Sequence, residues 1–236
     1  MKTLIIIPAY NEEENILKTY NSIIDYNKKN QTKYDVIVIN DGSIDKTEEI
    51  LNKNKINHIT LIQNLGIGGA VQTGYKYALE NNYDIAIQYD GDGQHDINYV
   101  KEIIKPIEEK KASMVIGSRF TTNSVSEFKS TRLRRIGINI ISFIIKVKTG
   151  KKIYDTTSGF RAVDKEVLKL FSSYYPSEYP EPISTVNVLL SKLKICEVPV
   201  KMKPRVAGKS SISKFKSAYY MINVIISILL MKGNRK

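Results

Sequence analysis

Asp90 and Asp92 stand one residue apart in Tyr89-Asp90-Gly91-Asp92-Gly93-Gln94-His95, directly after the apolar run 85–88. At a strand end two such carboxylates face a common point, and the glycines between and after them let a bulky ligand approach the backbone. A hard divalent cation shared between these carboxylates and a diphosphate suits the pair, because such cations use few protein carboxylates and take phosphate oxygens as further ligands. Asp and Gly are also ordinary turn residues, so an isolated Asp-x-Asp decides nothing. Two companion segments add weight: Pro8-Ala9-Tyr10-Asn11-Glu12 follows the first apolar run and Asn40-Asp41-Gly42-Ser43 follows the second. There Tyr10 is placed to cover a base with its ring, and Asp41 to accept a hydrogen bond from a base N–H. Asn11 and Ser43 are in addition expected to cap helices.

These segments need a frame that brings them together. Short apolar runs at 4–7, 36–39, 59–62, 85–88 and 114–116 read as strands, and they alternate with helical patterns. Helices are expected from Asn11 as cap with Glu14 at its third position, then at about 46–52, 70–81 and 98–110. The pattern predicts an α/β fold with a mostly parallel central sheet and flanking helices. In such sheets ligands bind beyond the carboxyl ends of the strands, which places 8–12, 40–43 and 89–95 side by side. After Gly117 come a polar loop (121–130), a basic cluster of Arg132, Arg134 and Arg135, and an apolar helix over 136–147. Tyr179-Pro180-Glu181-Pro182 precedes a further helix, 183–193. Here Glu181 reads either as an acceptor-loop carboxylate or as part of a Pro-stiffened turn.

Composition sets the bounds. The chain has 236 residues, 42% of them hydrophobic, enough for one sizeable core. Cys196 is the single cysteine and points to a reducing compartment, while the apolar run before Pro8 is too short for a signal-peptide core. The net charge of +12 is unevenly divided: residues 1–100 carry nine Lys and fourteen Asp/Glu, whereas every arginine lies after residue 100. One half suits a metal and the other suits phosphates or an anionic surface. Nucleic acid is not expected as a partner, because the basic residues are scattered among aliphatic runs with no nucleic-acid-binding signature. His58 and His95 are too few and too separated for a zinc site, and no Ser/His/Asp arrangement emerges.

With the three strand-end segments in order, the chain resembles family 2 glycosyltransferases of the GT-A fold, and most closely dolichyl- or polyprenyl-phosphate sugar synthases. The resemblance continues through Asn64-Leu65-Gly66-Ile67-Gly68-Gly69-Ala70, Gly117-Ser118-Arg119-Phe120, Asp155-Thr156-Thr157-Ser158-Gly159-Phe160-Arg161, and Arg205 with Gly208-Lys209-Ser210-Ser211. The glycine stretch lacks the G-x-G-x-x-G spacing of a dinucleotide site. The resemblance implies that Pro8, Tyr10, Glu12, Asp41 and Asp90 hold the nucleotide-sugar. It implies that Asp90, Asp92 and Gln94 engage Mg2+ or Mn2+ and the diphosphate. Arg119, Arg135 and Arg205 are implied to face donor and acceptor phosphates, with Asp92, Arg119 and Arg135 carrying the catalytic role and Arg132, Arg134 and Glu181 on the acceptor side. Two departures stand out: Asn40 where many relatives have Asp, and Ile67 where many have Lys. The first leaves the donor's nucleotide open.

The implied reaction is a single inverting displacement from a nucleotide-sugar to a polyprenyl, undecaprenyl-type phosphate at the cytoplasmic face of a membrane. On the 136–147 helix, Arg135, Asn139, Ser142 and Lys146 are spaced as one polar stripe that would turn toward the active site while the rest meets lipid or core. Residues 1–211 are expected to form the catalytic domain, and 212–236 an amphipathic membrane-associating helix with Lys216, Tyr220, Asn223 and Ser227 along its polar face, the alternative being a terminal helix packed on the core. Its apolar core is shorter than the roughly 20 residues that span a bilayer, so a small membrane protein partner is expected. The alternatives are a transferase that extends a polysaccharide or glycosylates a soluble acceptor, with Glu181 as general base, and a non-catalytic nucleotide-sugar binder.

Overall fold

A computed structural model describes residues 1–121, 132–202 and 214–232, with the side chains of 132–134 and 214–220 outside the description. Seven strands form one sheet: β1 (Thr3–Ala9), β2 (Asp35–Asn40), β3 (His58–Thr60), β4 (Ile85–Gln88), β5 (Met114–Ser118), β6 (Arg161–Asp164) and β7 (Ile195–Pro199). Their order is β3-β2-β1-β4-β6-β5-β7. β6 runs antiparallel to both neighbours, β4 and β5, while all other pairs are parallel. Helices α1 (Ile16–Asn30), α2 (Thr47–Lys53), α3 (Gly66–Glu80), α4 (Val100–Glu108), α5 (Arg132–Thr149), α6 (Lys165–Ser173), α7 (Pro180–Leu190) and α8 (Lys214–Leu230) complete the fold.

The sheet is buried on both faces. β1 is buried along its whole length and apolar after Thr3, and its alternate residues enter two separate clusters: Leu4 and Ile6 on one side, Ile5 and Ile7 on the other. A central strand covered by helices on both faces has this continuous apolar pattern rather than alternation. Burying each such Ile contributes about 2 kcal/mol. α3, α5, α6, α7 and α8 bring residues to the first cluster, and α1, α2 and α4 to the second.

Several sequence expectations shift. Asn11 does not cap α1: it sits in the left-handed region (φ 56) and its Oδ1 accepts from Ile44 N at 2.9 Å. α1 starts later, at Ile16, after Asn15. Ser43 likewise does not cap α2, because its Oγ accepts from Asn11 N at 3.0 Å, and Asp45 Oδ1 takes Thr47 N instead. Contacts between the two loops have won over local capping. α3 begins at Gly66, four residues before the expected start, since the Asp41 carboxylate takes Leu65 N just ahead of the helix. β6, α6 and β7 were not anticipated; the first is four residues long and its antiparallel pairing breaks the strand-helix alternation.

The stripe expected on α5 also divides. Ser142 is buried beside Ile138, Ile141 and Ile145, whereas Asn139 and Lys146 are exposed and Arg135 is half-buried. The face that docks on the core has spacing 138, 141, 145, and Ser142 falls on it. Ile136, Ile140, Phe143 and Val147 are left exposed on the outside. α8 repeats the arrangement: Val224 and Ile228 are fully buried, Asn223 and Ser227 are half-buried at the margin, and Ile222, Ile226, Leu229 and Leu230 are exposed. Lys216 and Tyr220 lie among the side chains outside the description.

Candidate active site

The carboxyl ends of β2, β1 and β4 are neighbours, so the three strand-end segments meet at one edge. Asp41 N donates to Ala9 O at 2.8 Å, and further bonds run between side chains and backbone. Asn11 N donates to Ser43 Oγ while Asn11 Oδ1 accepts from Ile44 N, and Glu12 N donates to Thr47 Oγ1 at 2.9 Å. The third segment packs behind the first: a Cβ on Gly91 would stand 3.2 Å from the Pro8 carbonyl, and Thr19 Oγ1 of α1 donates to Gly91 O at 3.0 Å. Tyr10 is 46% exposed at the rim, its ring open to a planar ligand.

Asp41 is buried, and its Oδ1 accepts from Leu65 N at 2.7 Å. Burial pushes its carboxyl above the usual range, against the pull of the Leu65 and Gly66 amides. Asn40, one of the departures noted above, is buried with its Oδ1 accepting from Ser43 N at 3.2 Å and its Nδ2 donating to Thr60 Oγ1 at 3.3 Å. An aspartate at this position would keep the second bond only if the Thr60 hydroxyl turned to donate. Gly42 is in the left-handed region (φ 65), and a Cβ there would meet Asn64 N at 2.8 Å.

Asp90 is the best-anchored acid of the site. His95 Nε2 lies 3.0 Å from its Oδ2, and His95 itself is buried and stacked on Phe160 with ring centroids 4.7 Å apart. Burial alone would raise the Asp90 carboxyl, but His95, the Gln88 amide and the more distant Arg119 charge together hold it below the usual range. Gly159 closes over it: a Cβ there would lie 2.7 Å from Oδ2 and 2.8 Å from Oδ1. No larger residue fits that position. Asp92 is half-buried, and its Oδ1 accepts from Gln94 N at 3.0 Å in a tight turn.

The donor set of Asp90, Asp92 and Gln94 is all oxygen, the chemistry of a hard cation. Among the described residues no group of three His, Cys, Asp or Glu is arranged to hold a metal by itself.

The arginines divide into two kinds. Arg119 is buried and forms a two-pronged ion pair with Asp155, Nε to Oδ2 and Nη2 to Oδ1, both 2.8 Å, with a further bond from Nη2 to Thr157 Oγ1 at 3.0 Å. Burial would raise the Asp155 carboxyl, yet the bonds and charge of Arg119 hold it below the usual range. Glu197 of β7 secures the same segment by accepting from Tyr154 N and Asp155 N, both at 2.8 Å. Arg119 thus anchors the segment 154–157 and reaches Asp90 through its field. Arg135, by contrast, lies 3.9 Å over the Phe120 ring, and its Nη1 is buried with no hydrogen-bond partner among the described residues. Such a group suits an anionic oxygen. The side chains of Arg132 and Arg134, and all of Arg205 and 208–211, lie outside the described residues.

Glu181 sits in the first turn of α7, behind Pro180 as the first helical residue. The structure therefore has the Pro-led helix start, and burial raises the Glu181 carboxyl above its usual range against the pull of the Arg161 charge. Sequence reasoning passed over Asp155, Gly159 and Arg161 as individual site residues. The run of polar and small residues from Asp155 to Ser158 before Phe160 was visible, but not its contacts.

Residues 4–171 match the sequence profile described as Glycosyl transferase family 2. The chain is 35% identical over 217 residues to UDP-N-acetylglucosamine--dolichyl-phosphate N-acetylglucosaminyltransferase of Methanococcus voltae, with 84% of each chain covered. It is 27% identical over 224 residues to undecaprenyl-phosphate mannosyltransferase of Micrococcus luteus, covering 90% of this chain and 88% of that one. A solved structure of glucosyl-3-phosphoglycerate synthase from Mycobacterium tuberculosis, in complex with Mn2+, UDP and glucosyl-3-phosphoglycerate, superposes with a TM-score of 0.71 at 18% identity, covering 97% of this chain and 78% of that one. At that identity the likeness concerns the fold.

Proposed function

The chain belongs to glycosyl transferase family 2, and from that premise we propose that it transfers a sugar from a nucleotide-sugar to a polyprenyl phosphate at a membrane surface, with inversion at the anomeric carbon. The observation that carries this reading is the meeting of the Tyr10, Asp41 and Asp90–Asp92 segments at one sheet edge, together with an Arg135 nitrogen that has no hydrogen-bond partner among the described residues. The names of the two relatives supply the acceptor class.

In this reading Tyr10 covers the base, and Asp41 with the Glu12 loop holds the nucleoside. Asp90, Asp92 and Gln94 hold Mg2+ or Mn2+ against the diphosphate, and that ion supplies positive charge to the departing group. The acceptor phosphate needs no strong base, because a phosphate monoester has its second pKa near 6 and is largely ionised at neutral pH. Arg135 orients the acceptor phosphate so that one oxygen attacks the anomeric carbon as the bond to the diphosphate breaks, with the electron pair leaving on the diphosphate. Phe120 fixes the plane of the Arg135 guanidinium.

The exposed edges of α5 and α8 suit the lipid side. The two helices pack together, with Lys148 Nζ donating to Leu229 O at 2.8 Å, and they present Ile140, Phe143, Val147, Ile226 and Leu229 outward beside the exposed Lys146. An apolar edge with lysines at its border fits the headgroup region of an anionic leaflet. Among the described residues no helix is long and apolar enough to cross a membrane. The lone thiol Cys196 agrees with a cytoplasmic face.

The test is incubation of the protein with a panel of nucleotide-sugars, Mg2+ or Mn2+, and a short-chain polyprenyl phosphate, followed by mass spectrometry. A sugar-phosphate-lipid product that disappears with EDTA is expected. Transfer to a neutral hydroxyl acceptor in preference to the lipid phosphate would overturn the acceptor assignment.

A further inference from the structure

Two cavities flank the end of α5, and neither shares a lining residue with the donor site. The first, about 280 Å³, is a groove between α5 and α8 lined by Phe143, Ile144, Val147, Lys148 and Leu229. The second, about 350 Å³, lies along β7, the outermost strand of the sheet, and its lining includes Thr121, Lys151, Lys152, Tyr154, Cys196 and Glu197.

Only Thr149 and Gly150 separate the two: Lys148 lines the groove and Lys151 the second cavity, at most about 11 Å apart even on a fully extended chain. The turn between them is tight, since Gly150 N donates to Lys146 O at 2.8 Å and Lys151 N to Thr149 Oγ1 at 3.3 Å. Every residue from 146 to 152 is exposed or half-buried, and a Cβ on Gly150 would meet no described atom within 4 Å. The ground between the cavities is therefore open surface.

Their chemistry differs. Apart from Lys148, whose Nζ is turned to the Leu229 carbonyl at 2.8 Å, the groove is lined by apolar side chains. The cavity along β7 is basic at its rim: Lys151 and Lys152 are exposed, and Lys152 Nζ stands 4.4 Å over the Tyr154 ring. Among the described residues Glu197 is the one carboxylate of the lining, and both its oxygens are taken up by Tyr154 N and Asp155 N at 2.8 Å. From Arg132 to Tyr154 the chain has no acidic residue. Cations in the last turn of a helix offset its dipole, which accounts for Lys146 and Lys148, but Lys151 and Lys152 lie beyond α5. A basic cavity beside an apolar groove is complementary to a molecule with a phosphate head and hydrocarbon chains. A soluble anion has no use for the groove, and a neutral lipid has none for the lysines.

We propose that the paired cavities form a site for one anionic phospholipid of the leaflet, its phosphate headgroup held by Lys151 and Lys152 along β7 and its chains laid in the groove against Val147 and Leu229. The inference rests on the membrane-surface reading above and adds to it a defined lipid site separate from that of the acceptor. Arg135 lies 13 residues before Lys148 on the same helix, about 20 Å along its axis.

Cys196 is the single cysteine of the chain, is half-buried and lines the cavity, so its alkylation reports occupancy directly. The whole chain is titrated with dihexanoyl phosphatidylglycerol kept below its micelle concentration, so that no membrane surface forms, and the alkylation rate is compared with and without lipid for each protein. Wild type should be protected about fivefold when the lipid stands at about four times its Kd, while dihexanoyl phosphatidylcholine and inorganic phosphate at the same concentration protect less than about twofold. Lys151→Ala combined with Lys152→Ala should lower the affinity about tenfold, and arginine at both positions should restore it. Val147→Ser with Leu229→Ser should weaken lipid protection as well, with an unchanged circular dichroism spectrum. Equal protection by phosphatidylcholine would mean a groove without headgroup recognition, and equal protection by inorganic phosphate an anion site without lipid. Protection by a short-chain polyprenyl phosphate alone would make the cavity part of the acceptor site. Each of these results overturns the inference, as does full protection in the double alanine variant. Sugar transfer without protection of Cys196 defeats only this inference, whereas protection without transfer defeats only the transferase reading.

Discussion

The two sides of the sheet edge are held together by different physics. On the β2–β1–β4 side the loops are stitched by short polar bonds to backbone amides: Asn11 to Ile44, Ser43 to Asn11, Asp41 to Leu65, Asp92 to Gln94. Each is worth about 1 kcal/mol, and several act in parallel. On the β6–β5–β7 side the corresponding segments depend on buried charge, with Arg119 paired to Asp155 and Arg161 bonded to two carbonyls and a hydroxyl. A distributed set of single bonds to backbone amides tolerates the loss of one member, whereas a buried ion pair fails when either partner goes. The donor side should therefore separate activity from stability, and the opposite side should couple them.

The sharpest break is at Asp92. Asp92→Ala should reduce turnover by about 10³-fold or more, the scale of losing one main electrostatic contact to a leaving group, while the urea midpoint stays close to wild type. A large fall in stability would erase the contrast. Next comes Asp155→Asn, which leaves Arg119 buried without its charge partner and should cost about 3–5 kcal/mol in equilibrium unfolding. Because the folded-state pKa of Asp155 is depressed, its contribution is present in full above the ordinary carboxylate value of 3.8 and is lost as the pH falls below it. Unfolding curves of wild type and Asp155→Asn should accordingly converge in acid. Curves that stay parallel would show that the pair does not act through charge.

Arg135→Ala should raise the acceptor KM by about 10–100-fold and leave nucleotide affinity unchanged, in line with the loss of one charge-assisted bond. An equal loss of nucleotide affinity would move Arg135 to the donor side. The smallest effect is at the outer edge of α5, where Phe143→Ser combined with Ile140→Ser should lower sedimentation with anionic vesicles by about tenfold without changing the circular dichroism. Those side chains are 65% and 43% exposed, so little core packing is lost. Unchanged vesicle binding would separate the apolar edge from any lipid role.

The donor side was legible because its chemistry sits where local rules apply. Apolar runs of strand length followed by Pro-x-Tyr-Asn-Glu, Asn-Asp-Gly-Ser and Asp-x-Asp place polar residues at strand ends, and a parallel sheet brings strand ends together wherever the strands lie. The other side was not legible in the same way. β6 is four residues long and antiparallel, the Arg119–Asp155 pair spans 36 residues, and Arg161 reaches α7 across 20. The capping roles expected of Asn11 and Ser43 failed for a related reason, since each side chain found its partner in the neighbouring loop.

By itself the sequence determined the α/β class, the line of strand-end motifs and the acidic and basic halves. Only the tertiary structure decided which face of α5 is buried, that Arg119 pairs with Asp155, and that Arg135 lies over the Phe120 ring. Periodicity and turn chemistry are encoded within a few residues and survive without a fold. The pairing of buried charges depends on which distant segments exclude water together, and that is settled only when the sheet has formed.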